Sequence, residues 1–171
     1  MKILIYTTHR TGSTSLANFL MYELGYDYQR YWYFAKNKNK LPSDIIIKLT
    51  PNEVKYDDVV HLFDKVIVLI REDINAQSES RVFSEKFGKK FSSYSIPTEF
   101  FIEYKSEIEL MRSVILRENE ILKNLKNCLF LTYEEFYKSN IGLSKLEEYL
   151  ATKFKFTINY NPYRNMRKNL V

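Results

Sequence analysis

Residues 2–16, KILIYTTHRTGSTSL, constrain this chain more than any other stretch. Ile3-Leu4-Ile5-Tyr6 is apolar and β-prone and reads as a short buried strand. The composition turns polar at Thr8-His9-Arg10-Thr11-Gly12, and from Ser13 the apolar residues Leu16, Phe19, Leu20 and Leu24 recur on one helical face. A strand, a tight hydroxyl-rich loop carrying a cation, and a helix aim free backbone N–H groups and the positive end of a helix dipole at one point. The stretch is therefore a candidate anion cradle. A helix start capped by Ser or Thr, with Arg10 solvated, accounts for the same residues.

With 171 residues the chain suits a single domain, 1–171, able to bury a core. Lys and Arg outnumber Asp and Glu by 26 to 21, a net charge of +5 that favours an anionic ligand without requiring one. A lone cysteine, Cys128, excludes an intrachain disulfide and a cysteine-rich metal site. The apolar N-terminal run is too short for a signal peptide, and no stretch approaches the roughly 18 apolar residues of a membrane span. A cytoplasmic protein without a membrane partner is the expectation.

Downstream, the first helix should end at Gly25. An aromatic stretch, 26–34, is followed by Lys36-Asn37-Lys38-Asn39-Lys40 and Leu41-Pro42-Ser43, which read as an exposed loop. Residues 44–49 form a second buried strand, and a short helix near 56–63 leads to 65–71, the strongest strand of the sequence. Its unbroken apolar character points to a sheet covered on both faces, hence parallel. Asp73 is placed to cap a helix over 74–87. After a break at 88–97, three- and four-residue spacing from Phe101 to Leu125 predicts one long helix over 98–125. A strand at 128–133 and a helix at 143–154 follow. Strands alternating with helices predict an α/β fold, a mostly parallel sheet flanked by helices in three layers.

The triphosphatase loop GxxxxGK[ST] does not fit the cradle. Aligned on Gly12, it puts Thr7 at the first glycine and Ser13 at the lysine, and the cation Arg10 precedes the glycine instead of following it. A hydroxyl-rich turn of this kind still suits a phosphate or sulfate, with Ser13, Thr14 and Ser15 as donors and Arg10 as the counter-charge.

Arg10-Thr11-Gly12-Ser13-Thr14-Ser15-Leu16 resembles the 5′-phosphosulfate loop of the sulfotransferases that use 3′-phosphoadenosine-5′-phosphosulfate. Residues 66–80, VIVLIREDINAQSES, resemble the family's 3′-phosphate element, in which a strand ending in Arg runs into a helix that presents a Ser. The pattern Arg-Glu-Asp-x-x-Ala-Gln-x-x-Ser is closest to the bacterial trehalose-type branch, and by that likeness Arg71 and Ser80 would hold the 3′-phosphate, with Ser78 as the alternative hydroxyl. A surface ion pair of Arg71 with Glu72 or Glu79, and plain helix-surface serines, are the competing explanations. Leu131-Thr132-Tyr133-Glu134-Glu135-Phe136 is similar to a third family stretch, in which Tyr133 and Glu134 read as structural. The three matches run in the family's order across residues 2–154.

The resemblance implies a P-loop-like nucleotide-binding core and transfer of a sulfuryl group from 3′-phosphoadenosine-5′-phosphosulfate to a hydroxyl or amine, with adenosine 3′,5′-bisphosphate as product and no metal. Arg10 would stabilise the leaving phosphate and the sulfuryl oxygens, and the N–H groups of residues 12–15 would hold the 5′-phosphate. Many members place Lys-x-His after the second strand. Here Ile47-Lys48-Leu49-Thr50-Pro51 keeps the lysine but has Thr50 where the histidine would be, so Lys48 carries over as a second cation and the base does not. The trehalose-type branch uses a Glu after the first helix, and the nearest carboxylate here is Asp27. His9 reads as shaping the turn and His61 as an ordinary histidine. Arg167, with Lys168 and Asn169, distantly resembles a basic loop over the 3′-phosphate, although a basic tail explains it equally.

Tyr28, Tyr31, Trp32, Tyr33 and Phe34 offer an acceptor surface for a small molecule or carbohydrate, unless they pack on the sheet. Nucleic acid is not an expected partner, and the sequence leaves the oligomeric state open. Two rival readings stand: a small nucleotide or metabolite kinase with a degenerate loop, needing Asp73 for Mg²⁺, and a non-catalytic basic domain using Lys36, Lys38, Lys40, Lys89 and Lys90.

Overall fold

The computed structural model describes residues 1–88, 96–139 and 141–155. Five strands form one sheet: β1 (Lys2–Thr7), β2 (Asp27–Arg30), β3 (Ile45–Leu49), β4 (Lys65–Ile70) and β5 (Leu129–Thr132), in the order β2-β3-β1-β4-β5. Every neighbouring pair is parallel. The helices are α1 (Ser13–Leu24), α2 (Tyr31–Asn37), α3 (Ile74–Phe87), α4 (Thr98–Glu103), α5 (Lys105–Lys123), α6 (Tyr133–Lys138) and α7 (Ile141–Leu150).

The strands alternate by parity, and each parity has its own core. Leu4, Tyr6, Ile45, Ile47, Leu49, Val66, Val68 and Ile70 pack with Phe34 of α2 and Leu122 of α5 on one face. Ile3, Ile5, Ile46, Ile67 and Leu69 pack with Leu16, Ala17 and Leu20 of α1, Phe136 of α6 and Leu146 and Leu150 of α7 on the other. Burying both faces requires continuous apolar strands, which is why the pattern of β4 signals a parallel sheet. A full burial of each Ile or Leu favours this arrangement by about 1.5–3 kcal/mol. A third cluster, Val82, Phe83 and Phe100, ties α3 to α4 and α5.

Helix ends follow local chemistry. Gly25 closes α1 in the left-handed region, its N–H donating to Met21 O. Asp73 caps α3 by accepting from Ala76 N–H at 3.0 Å. Three expectations are corrected. The helix expected over 98–125 breaks at Tyr104, because that residue leaves helical geometry while its ring packs on Phe87 and Phe100. Phe101, Tyr104, Ile108 and Met111 all face the same cluster, so their spacing runs straight through the break. The loop expected at 36–43 begins as the last turn of α2 and a 3₁₀ turn at Lys38–Lys40, and its Leu41 is buried. The helix expected at 143–154 is α7, which stops at Leu150.

The chain runs outward from β1 to β2 and β3, then crosses β1 to β4 and β5. The α1 connection covers one face, and α5, with α3 packed on it, covers the other. The loops following β1 and β4 therefore part at the carboxyl ends of adjacent strands. This switch point is where open α/β sheets bind ligands. Among the described residues no helix is long and apolar enough to cross a membrane.

At Gly142, α7 lies so close to α6 that an added Cβ would come 2.7 Å from Phe136 Cα and 2.8 Å from Glu135 C. Gly142→Ala raises helix propensity by about 1 kcal/mol, but overpacking against backbone costs roughly 1–3 kcal/mol. Net destabilisation is expected, read as a lower urea midpoint at unchanged slope.

Candidate phosphate-binding crevice

The loop between β1 and α1 is built by its own hydroxyls. Thr7 Oγ1 donates to Leu69 O at 2.6 Å and lies 2.7 Å from Thr11 Oγ1, which also approaches Thr8 O at 3.2 Å. Thr7, Thr8 and Thr11 are buried, so these bonds form out of water. Thr11 thus shapes the turn, its hydroxyl directed inward. Arg10 and Gly12 take left-handed backbone at φ 65° and 80°. Only glycine suits position 12 for a second reason: a Cβ there would meet Tyr137 Cε2 at 2.8 Å and Tyr133 Cδ2 at 2.9 Å. Those two rings, tilted 36° to each other, roof the loop, and Tyr137 donates to Gly12 O at 2.8 Å.

No side chain caps α1. Its first turn, Ser13 to Ser15, starts directly from Gly12, whose carbonyl accepts from Ser15 and Leu16 N–H. The first N–H groups of such a helix point beyond its end. Lys48 reaches this turn from the end of β3, with Nζ 3.4 Å from Thr14 Oγ1. Register explains the contact, because Lys48 shares the parity of Ile46 and so projects to the α1 face. Ser13 is buried, while Thr14 and Ser15 are partly accessible.

From the other side comes α3. Arg10 Nε donates to Ser80 Oγ at 2.9 Å, joining the loop to the helix after β4. Ser78, the alternative hydroxyl, donates to Asn75 O within α3 and is buried. Gln77 was not singled out by the sequence reading, yet its buried amide donates to both Thr8 Oγ1 and His9 O at 2.8 Å. The signal was present as the Ala-Gln of the Arg71-to-Ser80 segment, without a stated role. Arg71 directly follows β4 with its guanidinium 4.9 Å from the Tyr133 ring, a cation–π contact. Its Nε is a buried donor without a hydrogen bond, and no ion pair with Glu72 or Glu79 occurs among the described residues. Burial and the charge of Asp73 push the Glu79 carboxyl above its ordinary value, and Arg71 opposes them. Glu134 accepts from Glu72 and Asp73 N–H, which gives that residue a structural task.

Asp27 is not brought to the crevice. It begins β2 in register with Ile45, which pairs with Lys2, at the amino edge of the sheet. Five residue steps of β1, roughly 16 Å, separate that edge from the loop. Of the proposed aromatic surface, Phe34 and Tyr33 pack in one core and Tyr28 in the other. Tyr31 and Trp32 remain exposed, just beyond Arg30, the register partner of Lys48. Arg167, Lys89 and Lys90 lie outside the described residues.

No known family model matches the chain, and no curated protein matches its sequence. The solved structure of mouse sulfotransferase SULT7A1 complexed with PAP superposes with a TM-score of 0.60 at 17% identity, covering 90% of this chain and 59% of that one. The chain has a sulfotransferase-like fold. At such identity the likeness is one of fold, and this chain spans less than two thirds of that protein's length. A sugar kinase from Janibacter sp. HTCC2649 aligns more loosely, with a TM-score of 0.46, 13% identity and coverage of 88% and 94%, and bears no weight.

Gln77→Ala would leave the inward-facing groups of the loop without their donor. A loss of about 1–3 kcal/mol is expected, measurable by urea unfolding, together with faster amide exchange at residues 8–12.

Proposed function

We propose that this protein is a sulfotransferase that uses 3′-phosphoadenosine-5′-phosphosulfate and releases adenosine 3′,5′-bisphosphate. One observation carries the reading. The β1–α1 loop and the β4–α3 segment, each resembling one half of a bisphosphate site, meet through Arg10 and Ser80 at 2.9 Å. The sulfotransferase-like fold supports it.

In this scheme the N–H groups of residues 12–14 hold the 5′-phosphate at the positive end of α1, the Ser15 N–H being already given to Gly12 O. Arg10 stabilises charge on the leaving phosphate, and Lys48 presents a second cation to the sulfuryl oxygens. Arg71 and Ser80 take the 3′-phosphate between them, and the Tyr133 ring holds the guanidinium plane. The likeness to the trehalose-type branch adds only the choice of serine, and Ser80 is the one that meets Arg10. Arg167 would add to the 3′-phosphate site from the C-terminal segment. The acceptor is a hydroxyl or amine compound, a carbohydrate being the class suited to the exposed Tyr31 and Trp32.

The kinase reading needs Asp73 for Mg²⁺, but that carboxylate serves as the cap of α3. Calorimetry decides between them: adenosine 3′,5′-bisphosphate should bind more tightly than ATP with Mg²⁺, and the reverse order defeats the sulfotransferase reading. A basic scaffold would instead show steep salt dependence with no preference for a 3′-phosphorylated adenosine.

Arg71→Ala should weaken the 3′,5′-bisphosphate by on the order of tenfold or more, the value of a charged hydrogen bond, and 5′-AMP much less. Equal losses for both ligands would place Arg71 away from the 3′-phosphate.

A further inference from the structure

The carboxyl edge of the sheet continues past the crevice into an exposed basic surface. Arg30, the last residue of β2, is in register with Lys48 and shares the parity of Tyr28, which packs in the core on the α1 side. It therefore stands beside Lys48, one strand spacing of about 4.8 Å away, on the face where the loop and α1 lie. The cationic end of the crevice thus reaches the edge strand of the sheet.

From Arg30 the chain enters α2 directly. Phe34 is buried in the opposite core and Tyr33 packs partly into it, which turns Tyr31, Trp32, Ala35 and Lys36 outward. Trp32 and Lys36 are four residues apart and so lie one above the other on that outer face, with the small Ala35 beside them. Asn37 closes the helix by donating to Tyr33 O at 2.8 Å, and Lys38–Lys40 continue it as an exposed 3₁₀ turn. Helix and turn together run for roughly 16 Å, longer than any single sugar ring.

Two properties set this strip apart. No Asp or Glu stands between Asp27 and Asp44, and among the described residues none of Arg30, Lys36, Lys38 and Lys40 enters an ion pair. Elsewhere on the surface Lys86, Lys123 and Lys153 are each paired with a glutamate. The second property is aromatic. Trp32, the chain's one tryptophan, is 61% exposed although its ring is held edge to face against Tyr33 at 6.2 Å, and Tyr31 beside it is 38% exposed. A positioned ring left to solvent next to unpaired cations suits a ligand with a flat, weakly polar face and several negative charges.

We infer that the acceptor is an acidic oligosaccharide seated along α2 and the turn after it. The inference rests on the sulfotransferase reading and narrows its acceptor class. One sugar ring stacks on Trp32 and Tyr31 at the crevice end, and the carboxylate or sulfate groups of the following sugars meet Lys36, Lys38 and Lys40. Ammonium groups on flexible stems can follow charges that are unevenly spaced. A hydroxyl of the sugar nearest Lys48 forms the new bond to sulfur and gives its proton to solvent water, while the bond from sulfur to the 5′-phosphate oxygen breaks and its electron pair leaves on the phosphate. Single-stranded nucleic acid fits this strip less well. It is held by successive bases stacking along their track, whereas the exposed rings here occupy only the crevice end. Phosphates also favour the bidentate fork of Arg, and the cations beyond Arg30 are all Lys.

Intrinsic fluorescence tests the strip directly, because Trp32 is the only source of tryptophan emission. Hexasaccharides of hyaluronan and of chondroitin sulfate, maltohexaose as the neutral control and an oligothymidylate are each titrated into the protein. At least one acidic glycan should shift the emission and bind more tightly than both maltohexaose and the oligothymidylate, with an affinity that falls as salt is added. Lys36→Ala, Lys38→Ala and Lys40→Ala combined should weaken that glycan by roughly tenfold, the summed effect of three exposed ion pairs, and leave calorimetric binding of adenosine 3′,5′-bisphosphate as it was. Emission that responds to neither acidic glycan, equal affinity for maltohexaose, or a triple variant that binds like the parent overturns the inference. Tighter binding of the oligothymidylate overturns it too, by making the strip a nucleic-acid surface. Bisphosphate binding without a glycan response defeats this inference alone, whereas glycan binding by a protein that does not take the bisphosphate defeats the sulfotransferase reading and the acceptor role with it.

Discussion

The site depends on β1 having no solvent on either face. Residues 3–7 are buried, Ile3 and Ile5 against α1, α6 and α7, and Leu4 and Tyr6 against the opposite core. A strand held this way cannot slip, since a shift of one residue would exchange the two faces. The loop at its end therefore begins from a fixed point. Thr7 continues that rigidity into the loop by bonding to Leu69 O of the neighbouring strand. Backbone donors positioned in advance need little reorganisation when charge arrives, which is how a protein assists group transfer without covalent chemistry.

Around this point three elements of separate origin converge. α1 supplies an uncapped helix start, β3 supplies Lys48, and α3 supplies Gln77 and Ser80. The Tyr133–Tyr137 pair presses on Gly12 from α6 and also carries Arg71, so one aromatic roof positions a loop and a cation together. Arg71 is then oriented by a ring face in place of an acidic partner, which leaves its charge for an anion.

The parallel sheet was legible because two-sided burial imposes an unbroken apolar run, visible in residues 65–70. The cap at Asp73 and the glycine at position 25 were legible because helix ends are solved locally. The break at Tyr104 was not, since both sides of it pack on one aromatic cluster and share a period. Asp27 was a reasonable base by proximity in sequence. Proximity along the chain reverses in space when a strand returns to the amino edge of a sheet, and β2 does so.

What the sequence by itself determined is the residue chemistry of the crevice: the hydroxyl-rich loop with Arg10 and Gly12, the Arg71-to-Ser80 segment, and the order of strands and helices that makes the sheet parallel. These depend on local pattern and on periodicity, which a chain carries without reference to distant parts. Only the tertiary structure decided that Ser80 and not Ser78 meets Arg10, that Gln77 clamps the loop, that Lys48 reaches Thr14, and that Glu118 of α5 joins Arg81 to Asn52. Those contacts join residues dozens of positions apart, and which of them meet is settled by how helices pack on the two faces of the sheet.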